Sequence, residues 1–215
     1  VRSAYGCNKL QAGLGNLVSA IKYFKNNMVD LRIALVSAIT AMTGAWIGTK
    51  IIFLLPEESI QKAITVALPV IALIMVLRKT DARNVIMRSE ISKKTVVQAL
   101  IVGVIMGFYN SLFGPGIGTV AIIAFTMIMH YDARCASGNG KVLIVLTNAI
   151  ALVSYVKTGN VAYEIACPAA ICAIAGNLVG VNLAIRKGEK IIKPVMLVVV
   201  ILTVIKFAWQ NHLWG

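Results

Sequence analysis

Lys9, in GCNKL, and Lys141, in SGNGKV, stand in matching surroundings. Each precedes an apolar stretch that reads as a short helix, 10–24 and 142–156. A cation at a helix start is opposed by the helix dipole, by up to about 1 kcal/mol. Placed there twice, it calls for an anion held jointly by the ammonium and the first helix amides. A lysine snorkelling to lipid headgroups would give the same pattern with no ligand. Asn16 and Asn148 lie seven residues beyond their lysines, two turns on and on the same helix face. An amide there can bond a substrate oxygen or tie two helices together.

The third feature is a break. The apolar stretch 103–130 is interrupted by FGPGIG, with Gly114, Gly116, Gly118 and a proline within five residues. Such a run cannot continue a helix. Thr119 starts a new one, so amides around Gly116–Thr119 are expected to lack intrahelical partners. At membrane depth, irregular backbone survives only against protein or a water-filled cavity. A substrate oxygen could accept from those amides, with Lys141 supplying the full charge and Asn148 a neutral donor.

Other chemistry finds little support. Gly-Asn-Gly-Lys is no phosphate loop, since Cys135 stands where that loop needs glycine and Val142 where it needs Ser or Thr. GxSxG and HExxH do not occur. Asp30, Asp132 and Glu164 fall at loops or helix ends, which weakens an intramembrane proton relay. His130 and His212 are far apart, and the four cysteines show no CxxC spacing. Cys167 and Cys172, inside an apolar run, read as small core residues. The expectation is a non-enzyme without metal or cofactor.

The elements around these residues are membrane spans. The 215 residues are 59% hydrophobic and 13% charged, with a mean hydropathy of +0.83. A soluble domain carries about 25% charge. Apolar runs at 33–55, 60–77, 161–185 and 191–209 are of spanning length. Gly44 and Gly48 form a GxxxG in the first of these, which suits close helix packing. The net charge of +13 sits in short loops, as in cytoplasmic loops, with no basic face bearing aromatics, so nucleic acid is excluded. The stretch 78–94 is the long polar linker.

A shift of 132 residues superposes Gly6 on Gly138, Lys9 on Lys141, Asn16 on Asn148 and Tyr23 on Tyr155. It also aligns Lys25 with Lys157, Val29 with Val161, Gly44 with Gly176 and Gly48 with Gly180. The chain reads as two copies of one unit: 1–78, a linker 79–96, and 97–215. Residues 97–137 have no counterpart in the first copy, which predicts a further broken, glycine-rich element of ~35–40 residues ahead of Val1. If the break enters and leaves on one side, the second copy is inverted. Fifteen of the 21 Lys and Arg then face the cytoplasm. The stretch 97–130 as one rod would span ~51 Å against a ~30 Å hydrocarbon core, so a hairpin is expected. The fold class is all-α: a polytopic membrane protein of two inverted repeats with broken or re-entrant helices.

GFYNSLFGPGIGT, then ASGNGKV, then a short helix with Asn, then a Gly-rich span ending in IRKG, together resemble the TauE/SafE family of membrane proteins. GCNKLQAGLG resembles the same family's threonine–asparagine–lysine–leucine segment, with Cys7 where Thr is usual. The resemblance covers nearly the whole chain. It implies export of small sulfur anions such as sulfite or sulfonates, and it implies that Asn8 with Lys9 and Asn139 with Lys141 are signature positions. The expected partners are a small anion and the lipid bilayer, with a homo-oligomer admissible. The expected location is the inner membrane, with the C-terminus periplasmic. An anion channel and a non-transporting membrane scaffold are the competing classes.

Overall fold

The computed structural model describes residues 2–56, 92–113 and 116–188, together with 59, 190–192, 194, 195, 198, 202 and 205. Six helices make up the continuous stretches: α1 Arg2–Lys25, α2 Leu31–Leu54, α3 Lys93–Leu112, α4 Ile117–Met127, α5 Ala133–Lys157 and α6 Tyr163–Lys187. The helices α2, α3, α5 and α6 are long and apolar enough to cross a membrane, and α4 is a shorter apolar helix. The expected spans 60–77 and 191–209, the linker up to residue 91, the Glu57-Glu58 turn and Gly114 lie wholly or mostly outside the described residues.

The helix starts differ from expectation. The segments Gly6-Cys7-Asn8-Lys9 and Gly138-Asn139-Gly140-Lys141 are helical, inside α1 and α5. Lys9 and Lys141 therefore sit about 10–12 Å along their helices rather than at the first turn. Their glycines serve packing rather than breaking. A Cβ on Gly6 would collide with the Asn160 carbonyl, and one on Gly138 with the Met28 carbonyl.

These two collisions are the same contact with the copies exchanged, since Met28 plus 132 is Asn160. The offset also reproduces backbone detail. After α1, Met28 N–H donates to Tyr23 O at 3.0 Å and Asn27 takes φ 55°. After α5, Asn160 N–H donates to Tyr155 O at 2.8 Å and Gly159 takes φ 68°. The helix bounds of α1 and α2, shifted by 132, fall within one residue of α5 and α6. The start of each of α1 and α5 lies against the turn that ends the other, so the two equivalent helices run antiparallel.

Four glycines join α2 to α3. Gly44 packs on Val104 and Phe108, Gly48 on Ser111, Gly103 on Ser37 and Thr40, and Gly107 on Ala41. The contacts advance together along both helices, so α2 and α3 are parallel. Backbones this close gain dispersion contacts that side chains would prevent. The equivalent glycines of α6, Gly176 and Gly180, have nothing within 4 Å of an added Cβ.

The broken element is a hairpin. Ser92 caps α3, accepting from Thr95 N–H at 3.2 Å. At the far end, Tyr5 OH donates to Leu112 O at 2.7 Å. Gly116, at φ 80°, opens α4, where a left-handed residue is needed and glycine adopts it without strain. The chain then returns to Tyr131, whose OH donates to Asp30 Oδ2 at 2.6 Å. The core of the bundle, including Ile33, Met106, Phe125, Tyr131 and Leu143, lies between α2, α3, α4 and α5. Lys22, Lys25, Arg32, Lys93, Lys94, Arg134, Arg186 and Lys187 gather at the end of the bundle where the hairpin enters and leaves; Arg2, Lys50 and Lys157 lie toward the other.

The cysteines also depart from expectation. Cys167 and Cys172 are exposed on α6, while Cys135 is buried. An apolar run alone does not distinguish a residue in the bundle core from one on its outer face.

Candidate functional site

Two polar networks cross the bundle, one at each lysine. Lys9 is 1% exposed. Its Nζ donates to the Asn110 backbone carbonyl and reaches Asn110 Oδ1 at 3.5 Å. Asn110 Nδ2 in turn donates to Thr147 Oγ1 at 2.7 Å and to Asn148 Oδ1 at 2.9 Å. The network ties α1, α3 and α5 together.

Lys141 is half-buried. Its Nζ donates to Asn16 Oδ1 at 2.6 Å and to Asn177 Oδ1 at 3.3 Å. Asn16 Nδ2 is anchored on Ala12 O at 2.7 Å, and Asn177 Nδ2 on Ala173 O at 2.9 Å. Ser19 Oγ donates to the same Asn177 oxygen at 2.9 Å. Beside this cluster is a cavity of about 260 Å³, lined by Ser19, Tyr23, Ser137, Lys141, Asn177 and the bare faces of Gly176 and Gly180. An ammonium has three donors. The two amide oxygens take two of them.

The pairing is exchanged between copies. Asn16 lies on the same helix as Lys9 yet serves Lys141, and Asn148, on the helix of Lys141, serves the Lys9 network. The antiparallel crossing of α1 and α5 produces this, because each asparagine sits near the level of the other helix's lysine. Among the described residues neither lysine has a carboxylate partner. A buried charge without a counter-charge is costly unless something neutralises it.

The remaining expected site residues lie elsewhere. Asn8 is half-buried and its Oδ1 accepts from Gln11 Nε2 at 3.1 Å. Asn139 is fully buried, and its Oδ1 accepts the Asp30 amide at 2.9 Å, steadying the start of α2. Its Nδ2 has no partner among the described residues. At the break, Gly118 and Thr119 are half-buried and Gly116 is exposed. The Thr119 amide is not spare, because it donates to Gly116 O at 3.0 Å in the first tight turn of α4. The cavity at Lys141 is lined from α1, α5 and α6, with none of Gly116–Thr119 among its lining residues. Lys9, through Asn110, reaches α3 close to the break.

Asn110 and Asn177 were not singled out from sequence, and each holds a lysine. The signal was available, since each is an amide inside an otherwise apolar run.

The family model for the sulfite exporter TauE/SafE matches residues 1–207. The chain belongs to the TauE/SafE family. A probable membrane transporter protein, ORF9, of a Sinorhizobium species is 27% identical over 201 residues, 94% of this chain and 76% of that protein. The probable membrane transporter protein YfcA of Escherichia coli K12 is 22% identical over 210 residues, 98% of this chain and 77% of YfcA. The probable membrane transporter protein YdhB of Bacillus subtilis 168 is 18% identical over 180 residues, 84% of this chain and 74% of YdhB. No solved structure matches. This TauE/SafE chain is thus a membrane protein of a transporter family. Among the described residues, the Lys141 cluster and the Lys9 cluster are the polar networks built on a buried or half-buried lysine.

Proposed function

We propose that the chain is part of an exporter of small sulfur oxyanions, of the sulfite or sulfonate type, and that the anion docks at Lys141. One observation carries the reading: a half-buried ammonium, which among the described residues meets only neutral amide oxygens, faces a cavity of about 260 Å³. An anion entering that cavity supplies the missing counter-charge and accepts the remaining ammonium proton. Ser19 and Ser137 line the cavity and offer hydroxyls to further oxygens. The Lys9 centre is the counterpart, with Asn110 of α3 against its lysine. The description of the matching family, a sulfite exporter, supports the substrate class.

Two inverted copies are part of the same proposal, with 1–78 and 97–215 as the units and the intervening segment cytoplasmic. The antiparallel α1 and α5, and the hairpin that returns to its own end, support it. So does the gathering of Lys and Arg at that end. The same proposal has the protein in the inner membrane with a periplasmic C-terminus. An inside-negative potential then favours loss of anions by ~2.3 kcal/mol per charge per 100 mV.

The test is flux. Full-length protein in liposomes should carry sulfite or a small sulfonate with saturable kinetics, and Lys141→Gln should remove most of that flux. Flux strictly proportional to concentration would make the protein a channel. No flux of either anion, from protein that remains folded, would make it a scaffold and end the transport reading.

A further inference from the structure

A second basic centre lies at the end of the bundle, apart from Lys141. A cavity of about 650 Å³ is lined by Arg134, Arg186, Lys187, Lys190 and Ile191. Arg134 belongs to the first turn of α5, while Arg186 and Lys187 close α6. Gly188 brings the two together. It turns the chain at φ 55°, and a Cβ there would lie 2.5 Å from Arg134 Nε and 2.6 Å from Arg134 Nη2. The guanidinium crosses the end of α6 against the bare backbone of Gly188, whose left-handed φ favours glycine. Among the described residues, the neighbouring carboxylate is Asp132, which is turned to the Arg134 amide, whose N–H donates to its Oδ2 at 3.0 Å.

The internal repeat separates what is structural here from what is not. Shifted by 132, Arg134 falls on Arg2, Arg186 on Leu54, Lys187 on Leu55 and Lys190 on Glu58. Arg2 ties down the end of α2, donating to Phe53 O at 3.1 Å and Leu55 O at 3.3 Å. One arginine is therefore enough to finish this helix end. The three further cations of the second copy replace two leucines and an acid, and that helix end does not need them. Cations favour a helix C-terminus only weakly, and they repel one another.

We propose that this basin binds a phosphate group, carried by the headgroup of an anionic phospholipid. Several cations converging on one cavity suit a phosphate oxyanion, to which Arg can offer paired donors. The lipid source follows from what adjoins the basin. Val179 and Leu183 are exposed and lie on α6 at four-residue spacing below Lys187, forming an apolar track away from the cations. A headgroup in the basin would lay an acyl chain along that track. The inference does not rest on the transport reading.

The experiment uses full-length protein in neutral detergent and native mass spectrometry. Short-chain phosphatidylglycerol, short-chain phosphatidylcholine and inorganic phosphate are titrated separately. Phosphatidylglycerol should bind saturably, at least about ten-fold tighter than either of the others. The triple variant Arg186→Gln, Lys187→Gln, Lys190→Gln should lose about ten-fold or more in that affinity. Arg134 is left intact to keep the helix end, and the exposed single variant Lys190→Gln should show a smaller loss in the same direction. Lys22→Gln with Lys25→Gln, which removes charge from the same end of the bundle, should leave affinity within two-fold. Unchanged affinity in both the triple and the single variant overturns the site. An equal loss in the Lys22, Lys25 pair overturns it too, by making the attraction diffuse. Inorganic phosphate binding as tightly as phosphatidylglycerol overturns the lipid source.

Discussion

At the scale of single residues, the chemistry depends on which amide faces which ammonium. Lys9 and Lys141, with Asn16 and Asn148, were legible because the sequence repeats them at one offset. Their partners were not, because the exchange is set by how α1 and α5 cross. Asn110→Ala removes the amide that joins Lys9 to Thr147 and Asn148. It leaves buried polar groups unpaired, so stability should fall by about 1–3 kcal/mol, read as a lower melting temperature in detergent. An unchanged melting temperature would mean that the Lys9 network contributes nothing. Gly116→Val should also destabilise, for a backbone reason. Left-handed φ costs an ordinary residue roughly 1–2 kcal/mol, and a β-branched one suffers further. The loss should appear as reduced thermal stability, whatever happens to anion affinity.

At the scale of helices, glycine was the ambiguous letter. Helix does end at Leu112 and restart at Ile117 behind Gly116, yet the glycines before Lys9 and Lys141 interrupt nothing. Glycine in a helix costs about 1 kcal/mol, and sequence alone cannot see the packing that offsets it. Here that packing is the crossing of each helix start by the other copy's turn, which moves both lysines from helix ends to helix interiors. The GxxxG at Gly44 and Gly48 was legible as a packing face, but its partner, Gly103 and Gly107, was hidden in the broken element. Gly107→Leu should force α2 and α3 apart, because even a Cβ collides with the Ala41 carbonyl. The expected result is a loss of several degrees in melting temperature or failure to fold. Gly176→Ala should be tolerated within about 0.5–1 kcal/mol, since its Cβ would meet nothing within 4 Å. Equal damage from the two changes would contradict this picture of the α2–α3 seam.

At the scale of the molecule, the hydropathy and the positive loops made a polytopic membrane protein readable, and the hairpin followed from a length argument. The separation of Lys141 from the break was not readable, because it depends on Lys141 meeting Asn16 of α1 and Asn177 of α6 rather than the hairpin. In a cysteine-free background, Lys25→Cys and Lys187→Cys should be labelled from one side of the membrane and Lys157→Cys from the other. Labelling of all three from one side would contradict the inverted arrangement. The central claim is that the Lys141 ammonium is the docking point for the anion. Calorimetric titration of detergent-purified, full-length protein with sulfite and with methanesulfonate tests it directly. Lys141→Ala should weaken binding by roughly ten-fold to a hundred-fold, as expected for a lost charge-assisted hydrogen bond. Lys141→Arg should retain part of the affinity, since charge survives while geometry changes. Wild-type affinity in Lys141→Ala, from protein with an unchanged melting temperature, would contradict the account.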